Sequence, residues 1–402
     1  MERIYQSIIQ QHLSQYDQMV LMPGPRQVGK TTIARALCQQ YTNQLYLNWD
    51  LQADREIILE GQKALIDRLN LDQLGVSKPL VAFDEIHKLS NWKNYLKGYF
   101  DYTKGQTDTL VTGSAQLDVY QKGGDSLMGR YFLYHIHPLS VGELLDRPYQ
   151  SQTVFKPQKL ADDQWQALFQ FGGFPEPFAH QQMSFLKRWQ NLRLQQLFKE
   201  DIRNLTQVTH LDQMEILAKT LTYQASERFN TSKLAKKIQV SDVTIKHWIQ
   251  ILESLYFCFL IRPWSNNIAR SLVKEPKLFL WDWSIIEDAG ARYENMIACH
   301  LLKAVHCWND TGLGDYQLYY VRDKNKNEVD FLITYNNQPW LLAETKMSAK
   351  QPISPQLRSF QQQVQAQHVL QIAYDMPYVD ADCFNLDKPT IVPAQTFLSQ
   401  LV

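Results

Sequence analysis

The sequence predicts an α/β fold: a parallel sheet covered by helices, a helical middle, and a second α/β part at the C-terminus. Short apolar runs alternate with helical stretches through the first third of the chain. From about Ala161 to Leu221 the pattern is helical, and from about Lys277 onward strand-like runs return. Strands that alternate with helices are typical of parallel sheets buried on both faces.

Five apolar runs are the predicted strands of the first sheet. Each is followed by a glycine, a proline or an acidic residue, which is the usual mark of a strand end. A helix is predicted over Thr31–Tyr41, directly after the first run. The five runs are Met19–Met22, Leu45–Trp49, Leu80–Phe83, Thr109–Thr112 and Arg130–His137.

Composition limits the class of protein. The chain has 402 residues, of which 45% are apolar and 20% charged, as in globular proteins of two to three domains. Lys+Arg and Asp+Glu balance at 41 each, which argues against a nucleic-acid surface over the whole chain but leaves local basic patches open. Five cysteines without a C-x-x-C pair favour reduced thiols. With no apolar signal region or membrane span, we expect a cytoplasmic protein that does not bind membranes.

A glycine-rich loop follows the first apolar run and has the P-loop spacing G-x-x-x-x-G-K-[ST]. Backbone N–H groups of this loop would face phosphate. Lys30 would reach the β- and γ-phosphates, and the Thr31 hydroxyl would bind Mg²⁺. The sequence therefore predicts binding of ATP with Mg²⁺ by Gly24, Pro25, Arg26, Gln27, Val28, Gly29, Lys30, Thr31 and Thr32.

Two acidic residues end the third apolar run. The buried strand would deliver Asp84 to the Mg²⁺ shell, and Glu85 beside it would polarise the attacking water. The alternative is a glycine-rich turn and an ordinary strand-end acid. Because both motifs occur in order, with an apolar strand before the loop and a helix after it, we predict ATP hydrolysis.

Three further polar residues are candidates for catalysis. Ser114, or Thr112 before it, could hydrogen-bond the γ-phosphate or the attacking water, and a simple strand-end turn is the alternative. Arg130 could be an arginine finger, in cis or from a neighbouring subunit. A surface or structural arginine is the alternative. A finger from a neighbour would favour a homo-oligomer.

Six short motifs occur in order along nearly the whole chain: Gly-Pro-Arg-Gln-Val-Gly-Lys-Thr, Phe-Asp-Glu-Ile-His, Thr-Gly-Ser, Gly-Arg-Tyr, Pro-Leu-Ser-Val-Gly-Glu and Phe-Gly-Gly-Phe-Pro-Glu. On these motifs the chain resembles the AAA+-like prokaryotic P-loop ATPases whose C-terminal part is a domain of unknown function. The resemblance implies an AAA+ type sheet, in which the strand leading to Ser114 lies between the P-loop strand and the Asp84 strand.

Residues Asn230 to Glu253 predict a helix, a turn and a second helix. Thr231 or Ser232 is expected to cap the first helix and Ser241 the second. A following strand over Tyr256–Ile261 would complete a winged helix. The apolar residues that recur at helical spacing in the second helix are its predicted core stripe: Ile245, Trp248, Ile249 and Leu252.

The charged residues of this helix pair leave its partner open. Lys233, Lys236 and Lys237 could meet phosphates, and polar residues near the start of the second helix could enter a groove. No arginine pair stands ready to read guanine, so sequence-specific DNA binding is not supported. The alternative is a lid or protein-interaction module with a solvated lysine face. The polar residues are Ser241, Thr244, Lys246 and His247.

Four charged residues near the C-terminus form a candidate metal site. Glu294 lies on a predicted helix, and Asp330 begins a strand-like run. Glu344 and Lys346 end another run and point to one face, because they are two residues apart. The carboxylates could hold Mg²⁺, and Lys346 could orient or activate water. The set resembles the PD-(D/E)XK nuclease core; the alternative is a nuclease-like fold kept for structure.

The predicted domains are an AAA+ type ATPase over residues 1–155, a helical lid or linker over 156–225, a winged-helix-like module over 226–268 and a nuclease-like domain over 269–402. Two functions follow. In the first, an ATPase cycle moves the lid and the helix pair and gates a metal-dependent phosphodiesterase site. In the second, ATP binding switches how the protein holds DNA or a protein partner, and the nuclease-like domain is structural.

Overall fold

The computed structural model describes residues 2–69, 71, 77–113, 127–203, 210–265 and 275–402. The chain divides into two units. The first contains Met1–His137 with Pro148–Gln150, and the second contains Pro138–Arg147 with Ser151–Val402. No described helix is both long enough and apolar enough to cross a membrane.

Five parallel strands form the sheet of the first unit, in the order β2-β3-β4-β1-β5. The predicted parallel sheet is therefore confirmed, and so is the position of β4 between β1 and β3. Residues of β1, β3 and β4 are buried throughout, as expected of a sheet covered on both faces. The strands are β1 Met19–Pro23, β2 Gln44–Asn48, β3 Leu80–Asp84, β4 Asp108–Gly113 and β5 Tyr131–Leu133.

Helices connect these strands and cover the sheet. The helix predicted after the P-loop runs over Lys30–Cys38, so it begins one residue earlier and ends earlier than expected. A short 3₁₀ helix, Ile86–Lys88, follows β3. The helices of the first unit are α1 Ile4–Gln15, α2 Lys30–Cys38, α3 Gln52–Leu59, α4 Gln62–Leu69 and α5 Trp92–Thr103.

The second unit contains a mixed sheet of seven strands, in the order β12-β11-β10-β9-β8-β6-β7. Pairs β6–β7, β8–β9 and β9–β10 are antiparallel, and pairs β6–β8, β10–β11 and β11–β12 are parallel. The strands are β6 Cys258–Pro263, β7 Lys277–Leu280, β8 Tyr316–Arg322, β9 Glu328–Tyr335, β10 Gln338–Lys346, β11 His368–Ala373 and β12 Thr390–Pro393.

The helical middle of the chain belongs to the second unit. A π-helical turn, Leu197–Ile202, continues α9, and a 3₁₀ helix lies at Trp283–Ile285. The helices are α6 Val141–Leu144, α7 Asp162–Phe171, α8 Pro175–His180, α9 Met183–Gln196, α10 Leu211–Tyr223, α11 Thr231–Ile238, α12 Asp242–Ser254, α13 Ala289–Asp310, α14 Pro355–Val364 and α15 Ala394–Ser399.

The predicted helix pair is present as α11 and α12. The expected cap by Thr231 or Ser232 is wrong: the Asn230 side chain accepts the backbone N–H of Lys233 at 3.0 Å. The helix therefore begins one residue earlier, because an amide oxygen is as good a cap as a hydroxyl. The cap by Ser241 is confirmed. The predicted core stripe is buried, as expected: Ile245, Trp248, Ile249 and Leu252.

The strand predicted after the helix pair is β6, which lies between β7 and β8 in the seven-stranded sheet. One sheet therefore crosses the domain boundary predicted at residue 268. That the helix pair forms a winged helix, and that the sheet is nuclease-like, stay predictions.

Candidate functional site

The P-loop begins where β1 ends, at the carboxyl edge of the parallel sheet. A Cβ atom at Gly24 would lie 2.4 Å from the carbonyl oxygen of Ile136, so only glycine fits there. Gly29 has a φ of +100° immediately before α2, a conformation that side chains disfavour. The two glycines thus let the loop turn closely into the start of a helix, where backbone N–H groups attract anions.

Lys30 is the first residue of α2, and its side chain turns back over the loop. Its Nζ donates to the carbonyl oxygens of Gly24 at 2.8 Å and Pro25 at 2.7 Å. The residue is only 7% exposed. The ammonium group is therefore held inside the curve of the loop, close to the N–H groups that would face a phosphate.

Asp84 ends β3 and is 2% exposed. Its Oδ2 atom accepts hydrogen bonds from the Thr31 hydroxyl at 2.8 Å and from the hydroxyl of Tyr46. Its Oδ1 atom accepts the hydroxyl of Thr112. The structure thus brings the predicted residues Thr31 and Asp84 together and adds Tyr46 from β2 as a donor. The candidate Thr112, from β4, donates to Asp84 in this structure, and its predicted bond to the γ-phosphate or the attacking water stays a prediction.

Glu85 follows β3 in the left-handed conformation, with a φ of 58°. Its N–H donates to the carbonyl oxygen of Thr112 at 3.1 Å. The Glu85 carboxylate lies 3.4 Å from Nζ of Lys88. A non-glycine residue with positive φ is uncommon and costs conformational energy, so the fold fixes the direction in which Glu85 leaves the strand.

The neighbour of Glu85 is a neutral histidine. Burial, together with the nearby charges of Lys88, Lys30 and Arg26, lowers the pKa of His87 to about 4. The imidazole Nε2 lies 3.8 Å from the Glu85 carboxylate. At neutral pH the ion pair of Glu85 is therefore with Lys88.

Of the other two candidates, Arg130 is not brought to this site. Ser114 lies outside the described residues. Arg130 precedes β5, and Tyr131 pairs with Met19 at the amino end of β1, whereas the P-loop follows the carboxyl end. The Nε and Nη2 atoms of Arg130 donate to Asp101 at 2.7 and 3.0 Å. The fold therefore places Arg130 away from the loop of its own chain, and a role in a neighbouring subunit stays a prediction.

Arg3 is a contact of the P-loop that the sequence did not indicate. The residue is 6% exposed, and its Nη1 and Nη2 atoms donate to the carbonyl oxygens of Val28 and His137, each at 2.6 Å. A Cβ atom at Gly29 would lie 3.4 Å from Nη1. The guanidinium group thus supports the loop from the side of α1. No motif or spacing signals this role.

The C-terminal acids surround a lysine that the sequence analysis did not single out. Nζ of Lys277, on β7, lies 2.9 Å from Glu294 Oε1, 2.8 Å from Glu328 Oε1 and 3.1 Å from Asp330 Oδ1. The Lys277 side chain is 4% exposed. A lysine directly before the apolar run Leu-Phe-Leu-Trp was the available signal, since a buried lysine needs acidic partners.

Glu344 does not join this group. Its Oε1 atom lies 2.6 Å from Nζ of Lys346, and Asp330 Oδ2 accepts both the N–H and the hydroxyl of Thr345 at 2.9 Å. Among the described residues, no group of three or more His, Cys, Asp or Glu side chains could hold a metal ion. The predicted site of Glu294, Asp330 and Glu344 is therefore not assembled by the structure.

The charges of the cluster influence each other strongly. Burial and the charge of Asp330 raise the pKa of Glu294 to about 8. Burial also opposes ionisation of Asp330, but Lys277 and the two Thr345 hydrogen bonds outweigh it and hold the pKa of Asp330 below its ordinary value. Lys277 therefore lies beside one acid whose ionisation it favours, Asp330, and one whose ionisation burial and the charge of Asp330 oppose, Glu294.

Three sequence families match consecutive parts of the chain. Residues 16–145 match an AAA domain, residues 162–291 match the domain of unknown function DUF8612, and residues 289–385 match the domain of unknown function DUF4143. The P-loop, Asp84 and Glu85 lie within the first match. Residues 16–145 therefore match an AAA domain that includes the P-loop, and this part of the resemblance is confirmed.

Two relatives are similar over most of the chain. They are uncharacterized proteins of Mycobacterium bovis and Mycobacterium tuberculosis, each 22% identical over 356 residues, which is 85% of this chain and 73% of the relative.

Solved structures show distant similarity. The Walker-type ATPase PABY2304 of Pyrococcus abyssi has a TM-score of 0.42 and 15% identity, over 72% of this chain and 95% of its own. AMPPCP-bound DnaA from Aquifex aeolicus has a TM-score of 0.32 and 11% identity, over 61% of this chain and 86% of its own.

Proposed function

We propose that this protein binds ATP with Mg²⁺ at the P-loop and hydrolyses it, releasing the γ-phosphate. The observation that carries the proposal is the hydrogen bond from Thr31 to Asp84, within the part of the chain that matches an AAA domain. It places the loop hydroxyl and the strand-end carboxylate side by side, as the oxygens of a P-loop metal site must be.

Each residue of the site has a separate role. Backbone N–H groups between Gly24 and Gly29 bind phosphate oxygens, and Lys30 exchanges its loop carbonyls for the β- and γ-phosphates. Thr31 and Asp84 would hold Mg²⁺, which neutralises charge on the transferring phosphoryl group. Glu85, fixed at the same edge of the sheet, orients the attacking water and accepts its proton.

Two variants test this proposal. Glu85→Gln should lower ATP hydrolysis by about 100-fold or more while ATP stays bound, because an amide cannot accept the proton. Lys30→Ala should weaken ATP binding, since it removes the charge that meets the phosphates. The measurements are phosphate release and binding of a fluorescent ATP analogue. Matched exposed controls are Glu56→Gln and Lys63→Ala. Unchanged turnover in both site variants would refute the proposal.

The nucleotide state would in turn change how the protein holds DNA or a protein partner. The face that supports this is formed by Lys233, Lys236 and Lys237 on α11, all of them exposed. Phosphate binding by such a face falls steeply with salt. Duplex binding should therefore weaken when the three lysines are replaced by glutamine and should differ with and without an ATP analogue. Duplex binding that changes neither with the glutamine substitutions nor with the ATP analogue would leave a protein partner as the alternative.

Metal-dependent nuclease activity at Asp330, Glu344 and Lys346 is the second candidate. It rests on the resemblance to the PD-(D/E)XK core alone. Plasmid, single-stranded DNA and RNA are incubated with Mg²⁺ or Mn²⁺, with and without ATP. Cleavage that is lost in Asp330→Ala and Lys346→Ala would support this candidate, and the lack of cleavage would favour the binding switch.

A homo-oligomer would give Arg130 access to the site of a neighbour. Sedimentation with and without a slowly hydrolysed ATP analogue tests this. Assembly that depends on the nucleotide, and hydrolysis that falls in Arg130→Ala only in the assembled state, would support a finger in trans. A single monomeric species in both conditions would contradict it.

A further inference from the structure

Three carboxylates surround the ammonium group of Lys277 and form a cation site in which the cation is this lysine. An ammonium group has three donors and no acceptor. The three carboxylate oxygens of Glu294, Glu328 and Asp330 lie 2.8 to 3.1 Å from it, which matches one acceptor to each donor. The hydrogen-bonding capacity of Lys277 is therefore used completely by acidic partners from α13 and β9.

A divalent metal ion does not fit beside this lysine. Magnesium binds oxygen ligands at about 2.0–2.1 Å, so it would need the same carboxylate oxygens that now accept from Nζ. The resulting contact between a metal ion and a buried ammonium group would be strongly repulsive, because screening by water is weak at such a site. Lys277 would have to leave the cluster before a metal could enter.

The neighbouring charges support the same conclusion. Glu328, which accepts from Lys277, is also 3.3 Å from Nε of Arg228, and Arg228 is 3.2 Å from Glu275. Glu344, the remaining acid of the predicted metal site, is paired with Lys346. These carboxylates thus already have cationic partners from the chain, although Oε2 of Glu344 is buried without a hydrogen-bond partner among the residues that the structure describes.

We propose that the Lys277 ammonium is the resident cation of this cluster, taking the place that a divalent metal ion would need, and that the cluster joins β7, α13 and β9. The C-terminal carboxylates then hold the sheet and its long helix together. This inference is independent of ATP binding and hydrolysis at the P-loop.

The test compares Mn²⁺ binding to the full-length protein without nucleotide, by calorimetry and by the electron spin resonance signal of free Mn²⁺. The single variant Asp330→Asn should bind Mn²⁺ as the wild-type protein does. In Lys277→Met, which keeps most of the unbranched side chain but removes the ammonium group, the freed carboxylates should bind Mn²⁺ at least about tenfold more tightly. Adding Asp330→Asn to Lys277→Met should abolish that gain.

A matched control is Lys303→Met. Lys303 is also buried and pairs with the carboxylate of Glu143, and we expect its loss to create no Mn²⁺ site. Mn²⁺ binding by the wild-type protein that Asp330→Asn removes would overturn the proposal. A folded Lys277→Met variant without a gain in Mn²⁺ binding would overturn it equally. If Lys277→Met does not fold, the comparison of the wild-type protein with Asp330→Asn still decides.

Discussion

The hydroxyl of Thr31 donates a 2.8 Å hydrogen bond to Oδ2 of Asp84, which joins the start of α2 to the end of β3. The contact places the loop hydroxyl directly beside the strand-end carboxylate. The hydroxyl oxygen of Thr31 and the carboxylate oxygen of Asp84 are the two atoms that we propose bind Mg²⁺.

Removing the Thr31 hydroxyl should lower ATP hydrolysis while the protein stays folded. Thr31→Val keeps the shape of the side chain but removes the oxygen, so we expect ATP hydrolysis to fall by about 100-fold and no longer to respond to Mg²⁺. Thr31→Ser keeps the oxygen and should retain most of the activity. Phosphate release across a range of Mg²⁺ concentrations measures both. Equal activity in the valine and serine variants would contradict the assignment.

The hydroxyl of Tyr46 should matter for the site, and that of Tyr41 should not. Tyr46 donates to Asp84, whereas Tyr41 donates to Asp108 at 2.7 Å, where β4 begins at the opposite edge of the sheet. Tyr46→Phe should raise the Mg²⁺ concentration needed for half-maximal ATP hydrolysis by about tenfold, because it removes a hydrogen bond that orients a metal ligand. Tyr41→Phe should lower only the free energy of unfolding, by about 1 kcal/mol. The same response in both variants would refute this difference.

Arg3 should be needed to hold the P-loop in its observed conformation. Its guanidinium group bridges two carbonyl oxygens, those of Val28 and His137, and a lysine cannot reproduce this forked geometry. Arg3→Lys should therefore weaken ATP binding and lower the free energy of unfolding by about 1–3 kcal/mol. The control is Arg55→Lys, an exposed residue of α3. Denaturant unfolding and ATP titration measure the two effects, and ATP affinity equal to that of the control would contradict the prediction.

His300 should make the second unit sensitive to acid. Its Nε2 accepts the N–H of Val141 at 3.2 Å and its Nδ1 donates to Met296, so the folded state needs the neutral ring. Burial lowers its pKa to about 4, whereas the unfolded chain titrates near 6.5. The stabilisation is therefore complete above about pH 6.5 and is lost as the pH falls towards 4.

The matching variant is His300→Gln, which is neutral at every pH. Between about pH 7 and pH 5 the wild-type protein should lose about 1–2 kcal/mol more of its unfolding free energy than this variant. Denaturant unfolding at the two pH values measures the difference. His87, whose pKa is also lowered to about 4, contributes a separate slope that the variant keeps. Equal pH dependence in both proteins would show that His300 is not the responsible group.

Much of the first sheet could be predicted because its signals are local. Apolar runs that end in glycine, proline or an acid mark strand ends, and the run predicted at Leu80–Phe83 is the strand Leu80–Asp84. The P-loop spacing likewise fixed Lys30 and Thr31. Their contact with Asp84 follows from the carboxyl edge that parallel strands share.

The remaining contacts depend on partners that are distant in the sequence. Tyr46 reaches Asp84 only because β2 pairs with β3, and Arg3 reaches Val28 only because α1 lies beside the loop. Lys277 is a charged residue at the start of an apolar strand, and only the tertiary fold brings the carboxylates of β9 and α13 to it. Such tertiary contacts leave no periodic pattern in the chain, so spacing alone cannot find them.

The position of β6 between β7 and β8 has a consequence for dissecting the chain in the laboratory. A fragment of residues 269–402 would lack β6, so the edge of β8 would be open and β7 would lose its neighbour. Open edges of this kind recruit strands from other molecules and cause aggregation. The second unit, Pro138–Arg147 with Ser151–Val402, should therefore be expressed as one piece, which contains β6 and the helix pair α11–α12.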